Sequence, residues 1–231
     1  MTAASPYQAL LFDFDGVIAE SVDIKTRAFA ELYQEYGTDV VAQVVAYHEA
    51  HGGISRFEKF RHYEKELLGK PALTSERETL LASRFAQLVV DNVVAAAPVP
   101  GIDAVLEYYR GWTPMFVISG TPEVELQQIV SRRGLSPFFE RLMGSPVDKS
   151  VHIARVLQEY DYVAERVLML GDATTDYAAA RANGTLFLGR VPAGASNPFP
   201  GSVTVLRDFT ECRGGQLPEI AGRHGKATPT Q

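Results

Sequence analysis

Two aspartates, Asp13 and Asp15, stand one residue apart at the end of the apolar run Leu10-Leu11-Phe12. Like charges so placed repel, and a strand that ends this way needs a counter-charge nearby. Further chemistry-bearing residues follow: Ser119 and Gly120 after "MFVI", Lys149 in "SPVDKS", and Asp172 and Asp176 in "GDATTD". Several carboxylates at one place suit a hard dication with oxygen ligands, and Mg²⁺ is the ion that accompanies phosphate. Lys149, the Ser119 hydroxyl and the N–H groups around Gly120 can neutralise phosphoryl oxygens. Asp13 then has the chemistry of a nucleophile toward phosphorus, forming an aspartyl-phosphate. Asp15 has that of an acid that protonates the leaving oxygen and later takes a proton from water. On this reading a cation and a phosphate hold the acids together.

Such residues act in concert only if one framework brings them to a common edge. The runs "ALLFDFDG", "PMFVISGTP", "RVLMLGDATTD" and "GTLFLGR" read as buried parallel strands, with a fifth in "GSVTVLRD". Between them, Ile102, Val105, Leu106 and Tyr109 share a helix face, as do Leu126, Ile129 and Val130, then Ile153, Val156, Leu157 and Tyr160. Alternation of this kind predicts a doubly wound, mainly parallel α/β sheet of the Rossmann-like type, with ligands at the carboxyl ends of its strands. Thr121 is expected to cap a helix with Pro122 at its first position, aiming N–H groups at an anion. Lys149 falls in the first turn of a helix, where the dipole opposes a cation, so its place needs another reason.

Residues 20–97 break the alternation. They hold no strand signal and four helical patterns: Ile24 to Tyr36, Val40 to Ala50, Ile54 to Leu68 and Ser75 to about Val94. "APVPG" marks the return to the α/β region. The expected organisation is a core of residues 1–19 and 98–212, an inserted all-helical cap of 20–97, and a Gly/Pro/Thr-rich tail of 213–231 read as disordered.

Composition narrows the classes. The 231 residues are 46% hydrophobic and 22% charged, ordinary for a globular chain with a sizeable core. A net charge of -6 argues against a nucleic-acid surface. No apolar run nears the roughly 20 residues of a membrane span, the start lacks the basic region of a signal peptide, and one cysteine excludes an intrachain disulfide. A soluble, cytoplasmic protein is expected, with oligomeric state open. His48, His62, His152 and His224 have no zinc spacing. Neither a G-x-G-x-x-G nor a P-loop pattern is present.

The ordered set resembles the haloacid dehalogenase-like superfamily of phosphotransferases. Its first motif, D-x-D-G-V/T, matches Asp13, Asp15, Gly16 and Val17. Its Ser/Thr motif matches Ser119, its lysine Lys149, and its G-D-x-x-x-D motif Gly171, Asp172 and Asp176. The resemblance, which runs to about residue 210, implies a metal held by the Asp13 side chain, the Asp15 carbonyl and Asp172. Asp176 would lie just outside the metal's ligands or orient Lys149. The second aspartate favours phosphate-ester chemistry over that of the dehalogenases proper and the phosphonoacetaldehyde hydrolases. A helical cap after the first motif is similar to the lid of small-metabolite phosphatases. In the cap, "GISR" resembles a loop of the β-phosphoglucomutases and nominates Arg56 as a substrate contact. The histidine those mutases carry is Lys25 here, and Glu20 stands where many relatives have aspartate. The expected function is Mg²⁺-dependent hydrolysis of a small phosphorylated metabolite, such as a sugar phosphate or phosphoglycolate. A phosphosugar mutase is the alternative within the same chemistry, and a signalling receiver domain or a silent metabolite-binding protein the rivals outside it.

Overall fold

A computed structural model describes residues 5–220. Six parallel strands form one sheet in the order β3-β2-β1-β4-β5-β6. They are β1 (Ala9–Phe12), β2 (Met115–Pro122), β3 (Arg141–Ser145), β4 (Val167–Gly171), β5 (Leu186–Arg190) and β6 (Val205–Leu206). Strands β1 and β4 and the first half of β2, Met115 to Ile118, are apolar throughout because both faces are covered. Leu10, Phe12, Val117 and Leu168 face one hydrophobic core, whereas Leu11, Phe116, Ile118 and Met169 face another. Helices α5 (Ile102–Tyr109) and α6 (Glu123–Arg132) pack on the first side; α7 (Lys149–Glu159) and α8 (Thr174–Ala182) pack on the second. The doubly wound α/β expectation holds.

Between β1 and α5 come only helices: α1 (Val22–Leu32), α2 (Thr38–Ala50), α3 (Arg56–His62) and α4 (Ser75–Ala95), with short 3₁₀ and π-helical turns. Their shared interior is aromatic, with Phe29, Tyr33, Phe60, Tyr63 and Phe85 in edge or tilted contact. Ser55 opens α3 by accepting a hydrogen bond from Phe57 N, and Thr74 opens α4 by accepting one from Arg77 N.

Three expectations need correction. "RLMGS" is an edge strand, β3, that its polar start and Gly-Ser end concealed. Thr121 caps no helix, because β2 runs through Pro122 and α6 begins at Glu123. The tail does not lose order at Arg213. Leu217 is buried, with its N–H on the Tyr109 hydroxyl at 3.2 Å, and Ile220 N donates to Tyr7 at 3.0 Å. The remainder of the expected tail, 221–231, lies outside the described residues.

Candidate active site

The turn after β1 carries the acid pair. Gly16 adopts φ +73°, and a Cβ there would collide with the Asp172 carboxylate, so glycine lets the turn lie directly against that acid. Asp13 is 3% exposed. Its Oδ1 accepts from Phe14 N at 2.8 Å and lies 3.0 Å from Lys149 Nζ. Lys149 donates in addition to Asp176 Oδ1 at 2.6 Å, and Asp176 Oδ2 accepts from Ala173 N at 3.1 Å. Here is the reason for a lysine in the first turn of α7: two buried carboxylates offset the helix dipole and hold its pKa up against desolvation. Asp148 caps the same helix, accepting from Ser150 N at 2.7 Å.

Carboxylate oxygens of Asp13, Asp172 and Asp176 all lie within 4.8 Å of one another. Asp176 is engaged by Lys149. Asp172, by contrast, has no ion pair among the described residues. Burial, partly countered by Lys149 and reinforced by the neighbouring acids, pushes Asp13 up to about 7. Burial and then Asp13 push Asp172 well above the carboxylate range. Two hard oxygen donors that repel one another in a buried place fit a divalent cation of the Mg²⁺ class.

Asp15 behaves differently. Burial would raise its pKa, but Lys25 and Ser21 more than reverse this and hold it below the usual value. Lys25 Nζ pairs with Asp15 Oδ2 and donates to Thr121 Oγ1 at 2.7 Å; Ser21 Oγ donates to Asp15 Oδ1 at 2.6 Å. Thr121 thus serves the acid pair rather than a helix end. Ser119, 1% exposed midway along β2, accepts from Thr121 N at 3.1 Å, and Gly120 follows in the cavity wall. Glu20 also acquires a partner. It grips Arg190 at 2.6 and 3.1 Å, and Arg190 reaches Gly16 O at 3.3 Å, bracing the acid-bearing turn from β5. Nothing in one-dimensional spacing joins positions 20 and 190.

The helical layer closes over this edge. Gly53 takes φ +76° beneath Thr175 and Lys149, and a Cβ on Gly120 would meet Gly53 O at 2.6 Å. Thr175 Oγ1 donates to Gly52 O at 2.8 Å. Arg56 forms a fork with Glu125 of α6 at 3.0 and 2.6 Å, over the face of Phe85. A cavity of about 200 Å³ remains, lined by Asp13, Asp15 and Asp172 from below and by Lys25, Arg56 and Lys59 from above. Asp13, Asp15, Lys149, Asp172 and Asp176 are therefore brought together, with Ser119 and Gly120 beside them. Arg56 reaches the cavity wall with its charge already spent on Glu125. Lys25 and Lys59 emerge as cavity cations whose placement only the fold reveals.

A family model described as haloacid dehalogenase-like hydrolase matches residues 7–184. A phosphoglycolate phosphatase of Colwellia psychrerythraea is 23% identical over 184 residues, covering 76% of this chain and 80% of its own. Protein CbbY of Cereibacter sphaeroides is 29% identical over 191 residues, covering 77% and 81%. Among solved structures, a β-phosphoglucomutase from Clostridium difficile superposes with a TM-score of 0.70 at 16% identity, covering 89% of this chain and 93% of that one.

Proposed function

The chain belongs to the haloacid dehalogenase-like hydrolases, and from that premise we propose that it is a phosphatase acting on a small phosphorylated metabolite through an aspartyl-phosphate on Asp13. The observation that carries the reading is the buried Asp13 carboxylate, with one oxygen fixed by Lys149 and Phe14 N and Asp172 opposite. The proteins it resembles include a phosphoglycolate phosphatase and a β-phosphoglucomutase. A phosphomonoester of that size suits the closed cavity, with helices α1 to α4 as its cap. A cytoplasmic setting belongs to the same proposal.

Asp13 and Asp172, with the Asp15 carbonyl, would hold Mg²⁺. When bound, the ion withdraws charge from the phosphoryl group and lets both carboxylates remain ionised. The rest falls to this chain's own side chains. Lys149, the Ser119 hydroxyl and the N–H groups at Gly120 receive the phosphoryl oxygens. The other oxygen of Asp13 attacks phosphorus as the ester P–O bond breaks, and the leaving oxygen takes a proton from Asp15. Asp15 then accepts a proton from water, whose oxygen attacks phosphorus and releases Asp13 and free phosphate. Lys25 and Ser21 favour the ionised Asp15 that the second step needs; in the first step the substrate must displace the Lys25 contact.

Asp13→Asn is expected to lower phosphate release by about 10⁴-fold or more, since the amide is no nucleophile, while its thermal melt stays cooperative. Phosphate release at wild-type rate from that variant overturns the assignment. A product assay on sugar phosphates covers the alternative: isomerised sugar phosphate with little free phosphate would make the chain a mutase.

A further inference from the structure

Three cationic side chains look into the cavity from the helical layer, and two are committed. Lys25 is held by Asp15 and Thr121, and Arg56 by Glu125. Lys59 is not. It is 2% exposed, and among the described residues it forms no ion pair with a carboxylate. Its ammonium lies 2.6 Å from His48 Nδ1 and 5.5 Å from the centre of the Phe29 ring. Burial and then Lys59 pull His48 down to about 3, so the imidazole is neutral and accepts from the lysine. Burial, with Lys25 next, holds Lys59 itself down to about 7. Glu49 also lines the cavity, but it is exposed and makes no pair with the lysine.

A buried ammonium whose neighbours are an imidazole nitrogen, the His48 carbonyl oxygen at 3.5 Å and an aromatic face is costly, because none of them replaces an anion. The cost is removed when an anion arrives beside it. We propose that Lys59, positioned by His48, is the specificity-determining residue of this cavity and receives a second anionic group of the substrate, a carboxylate or a second phosphate. The inference rests on the phosphatase reading and narrows its substrate class to phosphorylated metabolites that carry two anionic groups. It also transfers to Lys59 the substrate-binding role that sequence pattern suggested for Arg56.

The test compares a phosphomonoester bearing a carboxylate a few bonds from its ester oxygen with the same molecule as its primary amide. A parallel pair sets a bisphosphate against the matching monophosphate, which separates the two anion sources. The expected result is a preference for one dianionic class of about ten- to hundred-fold in kcat/KM, expressed in KM. Lys59→Met should collapse that ratio, and Lys59→Arg should restore part of it. KM for the favoured class should climb as pH rises above about 7, since binding needs the ammonium. Calorimetry gives a readout without turnover: in an Asp13→Asn background, Lys59→Met should weaken the anionic compound about ten-fold and close its gap to the neutral one.

Persistence of the preference in Lys59→Met, or equal loss on both members of each pair, overturns the proposal. If wild type shows Mg²⁺- and Asp13-dependent hydrolysis of p-nitrophenyl phosphate yet treats charged and neutral partners alike, this inference alone falls. If it hydrolyses no phosphomonoester, the phosphatase reading falls and takes the inference with it.

Discussion

A lysine buried as deeply as Lys59 ties stability to pH, and the sign can be worked out. Its folded-state pKa is about 7 against an ordinary 10.5. Between those values the unfolded chain binds more protons than the native one, so stability rises with pH across the window and is lost as pH falls through about 7. Asp15 and Glu58 oppose the shift; Lys25 and Lys149 add to it. Lys59→Met should therefore be more stable than wild type near about pH 6, by roughly 1–2 kcal/mol after His48 loses its donor. The gain should shrink toward about pH 10. Urea denaturation at both ends of the range measures it, and a difference that does not vary with pH contradicts the assignment. Sequence spacing could not have raised this question. The contact of Lys59 with His48 exists only once α2 and α3 are packed. The same holds for Lys25 on Asp15 and Arg190 on Glu20. Asp13, Asp172 and Lys149 were readable because each closes a strand or opens a helix at an edge where polarity has no structural purpose.

Helix α3 is fastened to α6 by one ion pair, and the fastening has a direction. Arg56 is buried, Glu125 is half-buried, and both terminal guanidinium nitrogens are used. Removing the carboxylate strands a charge inside the closed arrangement, at about 3–5 kcal/mol for a buried pair. That cost is relieved by separating α3 from the core, where water can reach Arg56. Glu125→Ala should thus favour an open cap, with kcat lowered about ten-fold and faster amide exchange over residues 52–62. Exchange in β1, β2 and β4 should not change. Unaltered protection across 52–62 would show that the pair does not govern closure. At this level the sequence was legible where period was strong. Helix faces such as Ile102, Val105, Leu106 and Tyr109 are buried as their spacing required. It was illegible where tertiary context decides: β3 pairs only through β2, and the strand through Thr121 outlasts its own turn signal because Asp15 and Lys25 use the threonine hydroxyl.

The molecule as a whole concentrates acidic side chains at one sheet edge, and this predicts a stability that depends on a cation. Asp13 and Asp172 face one another under the helical layer, and Gly16 is the residue that permits Asp172 to come so near. Lys149 supplies a single positive charge and divides it between Asp13 and Asp176. Fully ionised, this edge keeps an excess of buried negative charge, which protons on Asp172 and Asp13 offset without metal and a dication would offset in their place. Mg²⁺ that binds the native form alone stabilises by mass action, about 2.7 kcal/mol at a hundred-fold excess over its Kd. For a chain of this length that is a rise in Tm of roughly 5–10 °C. Asp172→Asn removes one of the mutually repelling acids together with one of the proposed ligands. Without metal it should melt no lower than wild type, and Mg²⁺ should leave its Tm nearly where it was. Thermal melts of both proteins in EDTA and in Mg²⁺ give the four values needed. An equal Mg²⁺-induced shift in the variant would mean that the ion stabilises some other part of the surface, and that the acid edge is not where the cation binds.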